Sequence, residues 1–222
     1  MITSILGAPV TIGATRDDVV HEVADAVIDL STKMRIDSFV ISGGASTPAV
    51  LRLVAQSWRD NHTPSIIVSD ERHCDDPAEH NAEQLRAVLA GSPLARAPII
   101  APPSGGDLIS NAREWSRRLE QTAAPSLAIV SMADDGHIAS LFPSVEATPV
   151  GASVVVCHAS PKPPPQRVSL SSDYLRRVQH RFAIVIGAEK SAALSSVAKG
   201  ADLPVARFVP TRWFVESAAN LG

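Results

Sequence analysis

The stretch Leu127-Ala128-Ile129-Val130-Ser131-Met132-Ala133-Asp134-Asp135-Gly136-His137-Ile138-Ala139-Ser140-Leu141-Phe142-Pro143 places an apolar run directly before acids, a glycine and a histidine. A short run of β-formers flanked by helical patterns reads as a buried parallel strand, and sheets of that kind bind ligands beyond the carboxyl ends of their strands. His137 is therefore a candidate acid/base residue. A histidine taken in isolation more often caps or packs a short helix. The acids and glycine beside this one favour the chemical reading.

Outward from this segment, brief β-rich runs alternate with longer amphipathic ones, and there is no repeat or low-complexity linker. Thr15 with Asp18 three residues on resembles a capping box, after which Val19, Val23, Val27 and Leu30 carry an apolar stripe at helical spacing. Phe39-Val40-Ile41 reads as a strand, and Pro48 suits the first turn of a helix with Leu51, Val54, Ala55 and Trp58 on its apolar face. Ile66-Ile67-Val68 and Ile99-Ile100 read as further strands, with helices expected over 82–89 and 108–119. The proline-rich residues 160–166 predict an extended surface loop leading into Arg167-Val168-Ser169-Leu170. A last strand is expected at 182–186 and a helix at 189–198. Residues 213–219 are expected to form a closing helix with Trp213 and Phe214 packed inward. The pattern predicts an α/β fold with a mostly parallel sheet covered by helices on both faces. With 222 residues, 45% of them hydrophobic, it predicts one domain over 1–222.

The formal charge is -3 and Lys and Arg never gather into a run, which argues against a nucleic-acid partner. No apolar run is long enough to span a membrane, and the first residues lack the pattern of a signal peptide, so no membrane partner and a cytoplasmic location are expected. Cys74 and Cys157 lie far apart and fit free thiols.

Three polar motifs follow three strands: Ser42-Gly43-Gly44-Ala45-Ser46-Thr47-Pro48, Ser69-Asp70-Glu71-Arg72, and the His137 segment. In a parallel sheet those strand ends share one edge, so the loops are expected to converge on one cleft. Gly43, Gly44, Ser46 and Thr47 before a proline-started helix offer bare backbone N–H groups, two hydroxyls and a helix dipole, which suits a phosphate. The plainer alternative is a tight β-to-α turn capped by Thr47. Arg72 adds a planar fork of donors for phosphate or carboxylate, unless it pairs with Asp70 or Glu71. Lys162 and Arg167 stand on a proline-stiffened loop and can clamp an anion, or they are incidental solvated charges. No G-x-S-x-G, H-E-x-x-H, Walker-type or G-x-G-x-x-G motif occurs. His73, Cys74, Asp75, Asp76 and His80 fit no closed zinc spacing, and nothing marks a base for Cys74 as a nucleophile.

Taken together, Ser42-Gly43-Gly44 with Thr47-Pro48, Ser69-Asp70-Glu71-Arg72 with Asn81, Asp135-Gly136-His137 with Ser140-Leu141-Phe142-Pro143, Ser160-Pro161-Lys162-Pro163-Pro164, Gly187-Ala188-Glu189-Lys190, Leu203-Pro204 and Trp213-Phe214 resemble the 6-phosphogluconolactonases of the glucosamine-6-phosphate isomerase/6-phosphogluconolactonase family over nearly the whole chain. The resemblance implies a Rossmann-like sheet. It also implies hydrolysis of 6-phospho-D-glucono-1,5-lactone by water, with His137 as general base, Asp135 orienting it, and the 6-phosphate held by Gly43, Gly44, Ser46, Thr47, Arg72, Lys162 and Arg167. No metal or organic cofactor is implied, and a monomer or weak homodimer is expected. Ser-Leu-Phe-Pro after His137 resembles the lactonase branch. An amino-sugar-phosphate deaminase or isomerase, and a silent sugar-phosphate sensor, are the other readings. Three features depart from the family pattern. Ser131 and Ala133 replace two glycines, so a positive φ at either would be strained. Ala45-Ser46 gives the first loop an extra residue, and the stretch from Asp70 to Asn81 is one residue short.

Overall fold

Runs of Val, Ile and Phe bounded by polar turns become the strands of two sheets in the computed structural model, which describes residues 3–219. The strands are β1 (Ser4–Ile5), β2 (Ala8–Gly13), β3 (Ser38–Ile41), β4 (Ser65–Val68), β5 (Asp70–Arg72), β6 (Ile99–Ile100), β7 (Leu127–Ser131), β8 (Thr148–Val150), β9 (Val154–Cys157), β10 (Arg167–Leu170), β11 (His180–Val185) and β12 (Arg212–Glu216). The helices are α1 (Arg16–Lys33), α2 (Ser46–Ser57), α3 (Asn81–Leu89), α4 (Leu108–Glu120), α5 (Ser172–Arg176), α6 (Ser191–Ala198) and α7 (Pro204–Arg207), and three short 3-10 turns complete the described chain. The Thr15–Asp18 capping box is present at the start of α1.

The main sheet runs β1-β2-β12-β11-β7-β3-β4-β6, and every neighbour pair is parallel except the β1–β2 hairpin. The second sheet, β5-β10-β9-β8, is antiparallel. Strand β3 is buried from end to end, and β4 and β7 are buried save Ser65 and Ser131, which explains their continuous apolar runs.

The connections through α1, α2 and α3 step along the sheet in one direction, from β2 to β3, β4 and β6. Those after β6 return to β7, β11 and β12. Right-handed crossovers put the two sets on opposite faces, so helices cover the sheet on both sides. The direction reverses between the neighbours β3 and β7, and this is the point where such sheets open a crevice at their carboxyl ends. At Ser69 the chain bends from β4 directly into β5. The Ser69 N–H donates to the Ile41 carbonyl, and its own carbonyl accepts from Leu170 N–H. Asp70 and Arg72 are thereby carried on a strand of the second sheet, beside the crevice.

The expected closing helix at 213–219 is corrected. Residues 212–216 are β12, a strand inserted between β2 and β11, and only Ser217–Ala219 form a 3-10 turn. Trp213 and Phe214 are both fully buried, as a strand covered on both faces allows, and consecutive strand residues point to opposite sides. A short, fully apolar run cannot be told from helix by periodicity, and the aromatic and β-branched Trp-Phe-Val composition decides for strand. Strand β2, which flanks β12, is not anticipated from the sequence pattern.

Trp213 also donates its indole N–H to the Ile5 carbonyl, tying the hairpin to the sheet. Trp213→Ala is expected to destabilise the protein by about 3–5 kcal/mol through cavity formation and the lost bond. Urea unfolding followed by circular dichroism measures it.

Candidate active site

The crevice between the ends of β3 and β7 is a cavity of about 410 Å³, within the range of small-molecule sites. All three expected loops line it, together with the proline-rich loop.

The first wall is the turn from β3 into α2. Thr47 is fully buried beneath it and donates its hydroxyl to the carbonyls of Ser42 (2.6 Å) and Gly43 (2.8 Å). In a trans peptide the N–H points opposite to the C=O, so anchoring these two carbonyls turns the N–H groups of Gly43 and Gly44 the other way. Neither N–H has a hydrogen-bond partner among the described residues, and neither does that of Ala45. Ser42 anchors the turn to both strands: its N–H donates to the Ile129 carbonyl, and its hydroxyl accepts from Ser131 N–H. The result is a row of free donors at the positive end of α2, at an edge of the cavity formed by Gly43, Gly44 and Ser46. Thr47 lies behind this edge; it serves the cradle by holding carbonyls and does not line the cavity. Ala45 rather than Thr47 is the helix cap residue, and it makes no side-chain cap bond.

The opposite wall is the turn after β7. Asp135 Oδ1 accepts from both the His137 backbone N–H (3.0 Å) and Nδ1 (2.7 Å), so the neutral ring carries its proton on Nδ1 and presents Nε2 as an acceptor. The His137 side chain is 13% exposed and lines the cavity, while Asp135 stands behind it at 41%. The Phe142 ring packs on the imidazole with centroids 4.5 Å apart. Burial lowers the His137 pKa below the usual histidine value and the Asp135 carboxylate opposes that shift, so the neutral form dominates near pH 7. Gly136 makes the turn possible: its φ is +81°, and a Cβ would sit 2.6 Å from Leu203 Cδ1. Its N–H is already given to the Ala133 carbonyl, which removes it as a free oxyanion donor.

Ser131 and Ala133 do not have positive φ, so the side chains that replace glycines there fit without backbone strain. Both line the cavity, narrowing it. The strained residue is Ala139, also on the cavity wall, at φ +50°.

Four cations face the cavity: Arg72, Lys162, Arg167 and Lys190. Arg167 is almost fully buried and gives Nε to the Pro164 carbonyl and Nη2 to those of Lys162 and Pro163, leaving Nη1 without a protein partner among the described residues. It therefore builds the proline loop as well as facing the cleft. Lys162 pairs with Asp134 at 3.2 Å. Arg72 pairs with neither Asp70 nor Glu71; it donates to the Glu79 carbonyl instead. The Lys190 ammonium makes no ion pair or hydrogen bond among the described residues, and burial lowers its pKa, with Glu189 and Asp134 opposing. Sequence reasoning quotes Lys190 in the family pattern without a role. It also leaves Asp70 unassigned, a buried carboxylate on the cavity wall that accepts from Ser69 Oγ (2.7 Å) and Ser140 Oγ (2.6 Å). Among the described residues no three His, Cys, Asp or Glu side chains gather as a metal set, and no helix is long and apolar enough to cross a membrane.

Residues 14–216 match the family described as glucosamine-6-phosphate isomerases/6-phosphogluconolactonase. The chain belongs to this family. It is 31% identical over 183 residues to the 6-phosphogluconolactonase of Mycobacterium tuberculosis, a match covering 73% of each chain. The crystal structure of 6-phosphogluconolactonase from Thermotoga maritima has the same fold, with a TM-score of 0.80 at 24% identity, covering 94% of this chain and 99% of that one. A monomeric glucosamine-6-phosphate deaminase has it too, with a TM-score of 0.77 at 14% identity, covering 95% and 98%. A lactonase and a deaminase thus share this architecture, so the fold alone does not separate the two activities.

The His137–Asp135 pair yields a titration test. Removing the carboxylate in Asp135→Asn takes away the term that favours imidazolium, so the His137 pKa is expected to fall further below that of the wild type. An NMR titration of the ring protons reads both values; an upward shift would contradict the assignment.

Proposed function

We propose that the protein hydrolyses 6-phospho-D-glucono-1,5-lactone to 6-phospho-D-gluconate, the activity named for its 31%-identical relative. The observation that carries this reading is the placement of a neutral imidazole, with Nε2 unoccupied, on one wall of a cavity whose other wall is a row of free backbone donors flanked by cations. One wall suits proton transfer, the other a phosphate.

In this reading the substrate phosphate takes the Gly43, Gly44 and Ser46 edge, with Lys190 and Nη1 of Arg167 neutralising its charge. Arg72 and Lys162 complete the positive rim. Anchoring the remote phosphate fixes the lactone carbonyl near His137. His137 Nε2 takes a proton from water as the water oxygen bonds to C1 and the carbonyl becomes an oxyanion. The C1–O5 bond then breaks as the imidazolium returns the proton to O5. The product acid loses its proton to solvent. Asp135 holds the tautomer and stabilises the transient imidazolium, and Phe142 fixes the ring plane. The alternative, amino-sugar-phosphate deamination, is tested by ammonia release from glucosamine 6-phosphate, and none is expected.

His137→Ala is expected to lower kcat about 10²- to 10⁴-fold with unchanged folding, measured with freshly made lactone and corrected for spontaneous hydrolysis. Activity at the wild-type level would remove His137 as the base. Lys190→Ala is expected to raise KM for the phosphorylated lactone about tenfold or more with kcat little changed, since it removes binding common to ground and transition states. An unmoved KM would place the phosphate elsewhere.

A further inference from the structure

We propose that Arg16 and Asn81, two residues that take no part in the chemistry, are positioning residues that brace the Gly43–Ser46 turn from either side and so preset it for a phosphate. The inference rests on the reading of that turn as the phosphate subsite.

The three helices α1, α2 and α3 pack side by side, and their first residues lie at the same edge of the sheet. The two outer helix starts are fixed independently of the cleft. That of α1 is locked by the reciprocal Thr15–Asp18 capping bonds, and by Gly13, where a Cβ would lie 2.7 Å from Val19 Cγ2. That of α3 is locked by the buried Glu71 carboxylate, which accepts from the backbone N–H groups of Arg72 (2.9 Å), Asn81 (2.6 Å) and Ala82 (2.8 Å).

From the first corner Arg16 sends its guanidinium across to the Ala45 carbonyl at 2.7 Å. A cation in the first turn works against the helix dipole, so its place there calls for a compensating contact, and this bond supplies one. The carbonyl belongs to the Ala45–Ser46 peptide, so holding it directs the Ser46 N–H the opposite way and polarises it as a donor. Arg16 thereby does for Ser46 what Thr47 does for Gly43 and Gly44.

From the second corner Asn81, 2% exposed, donates Nδ2 to the Asp70 carbonyl at 2.8 Å and sets Oδ1 under Gly43. A Cβ on Gly43 would lie 2.0 Å from that oxygen, and Oδ1 has no hydrogen-bond partner. An unpaired buried acceptor is unfavourable, so its retention indicates that the amide is kept for its shape, as a rigid floor beneath the turn.

The test is a ¹H–¹⁵N NMR titration with inorganic phosphate on wild type, Arg16→Ala, Arg16→Lys and Asn81→Ala, alongside lactonase kinetics. Saturable shifts of the Gly43, Gly44 and Ser46 amides are expected in the wild type. Arg16→Ala should weaken phosphate binding about five- to tenfold and raise KM by the same factor, with kcat and Tm little changed; Arg16→Lys should recover part of the loss. Asn81→Ala should act in the same direction, and if it fails to fold, exposed Arg16 decides alone. Phosphate affinity in Arg16→Ala equal to wild type, or wild-type turn amides that ignore phosphate, would overturn the proposal. A wild type that binds phosphate at the turn but does not hydrolyse the lactone would sink the functional reading and leave the bracing intact.

Discussion

The site depends on the parallel pairing of β3 with β7. These two strands are neighbours whose outgoing connections leave in opposite directions, so the sheet edge between them is left open while both flanks are filled by crossovers. The pairing continues one step past the strands, where the Ser42 N–H reaches the Ile129 carbonyl and the Ser42 hydroxyl receives the Ser131 N–H. The glycine turn after β3 and the histidine turn after β7 are therefore stitched together at their roots. Their separation is set by backbone and by the buried Ser42 hydroxyl.

Within that frame, orientation comes from controlling carbonyls. Every residue but proline has one backbone donor and one acceptor, and a planar peptide couples the directions of each C=O and the N–H that follows it. Buried Thr47 occupies two acceptors of the first turn and so fixes where two donors point. The same economy governs the proline loop, where Arg167 gathers three consecutive carbonyls and keeps one nitrogen for the cleft. It also governs the histidine turn, where one carboxylate oxygen orders both the backbone and the ring. Such preorganisation lowers the reorganisation left for ligand binding.

Much of this is legible in the sequence. The alternation of β-rich and amphipathic runs predicts the parallel α/β order, and polar motifs following strands predict a shared cleft, because strand ends in such sheets lie on one edge. The pattern fails where local information is ambiguous. Trp213-Phe214-Val215 is apolar throughout, so periodicity does not separate strand from helix there, and only its aromatic and β-branched composition points to the strand. Asp70 and Arg72 read as loop because a three-residue strand of a second sheet has too short a period to register. Lys190 carries no local sign that its side chain lines the cavity, and the separate duties of Ser46, which lines the cleft, and Thr47, which lies beneath it, depend on a single helical step of about 100° that no composition reveals.

The passage at Ser69 has a mechanical consequence. The chain bends at Ser69 yet gives its amide to one sheet and its carbonyl to the other, so the small sheet is tied to the large one through backbone with no linker between them. Moving one sheet against the other would break a backbone hydrogen bond at Ser69, and Asp70 and Arg72, which line the cleft, ride on the strand that begins there.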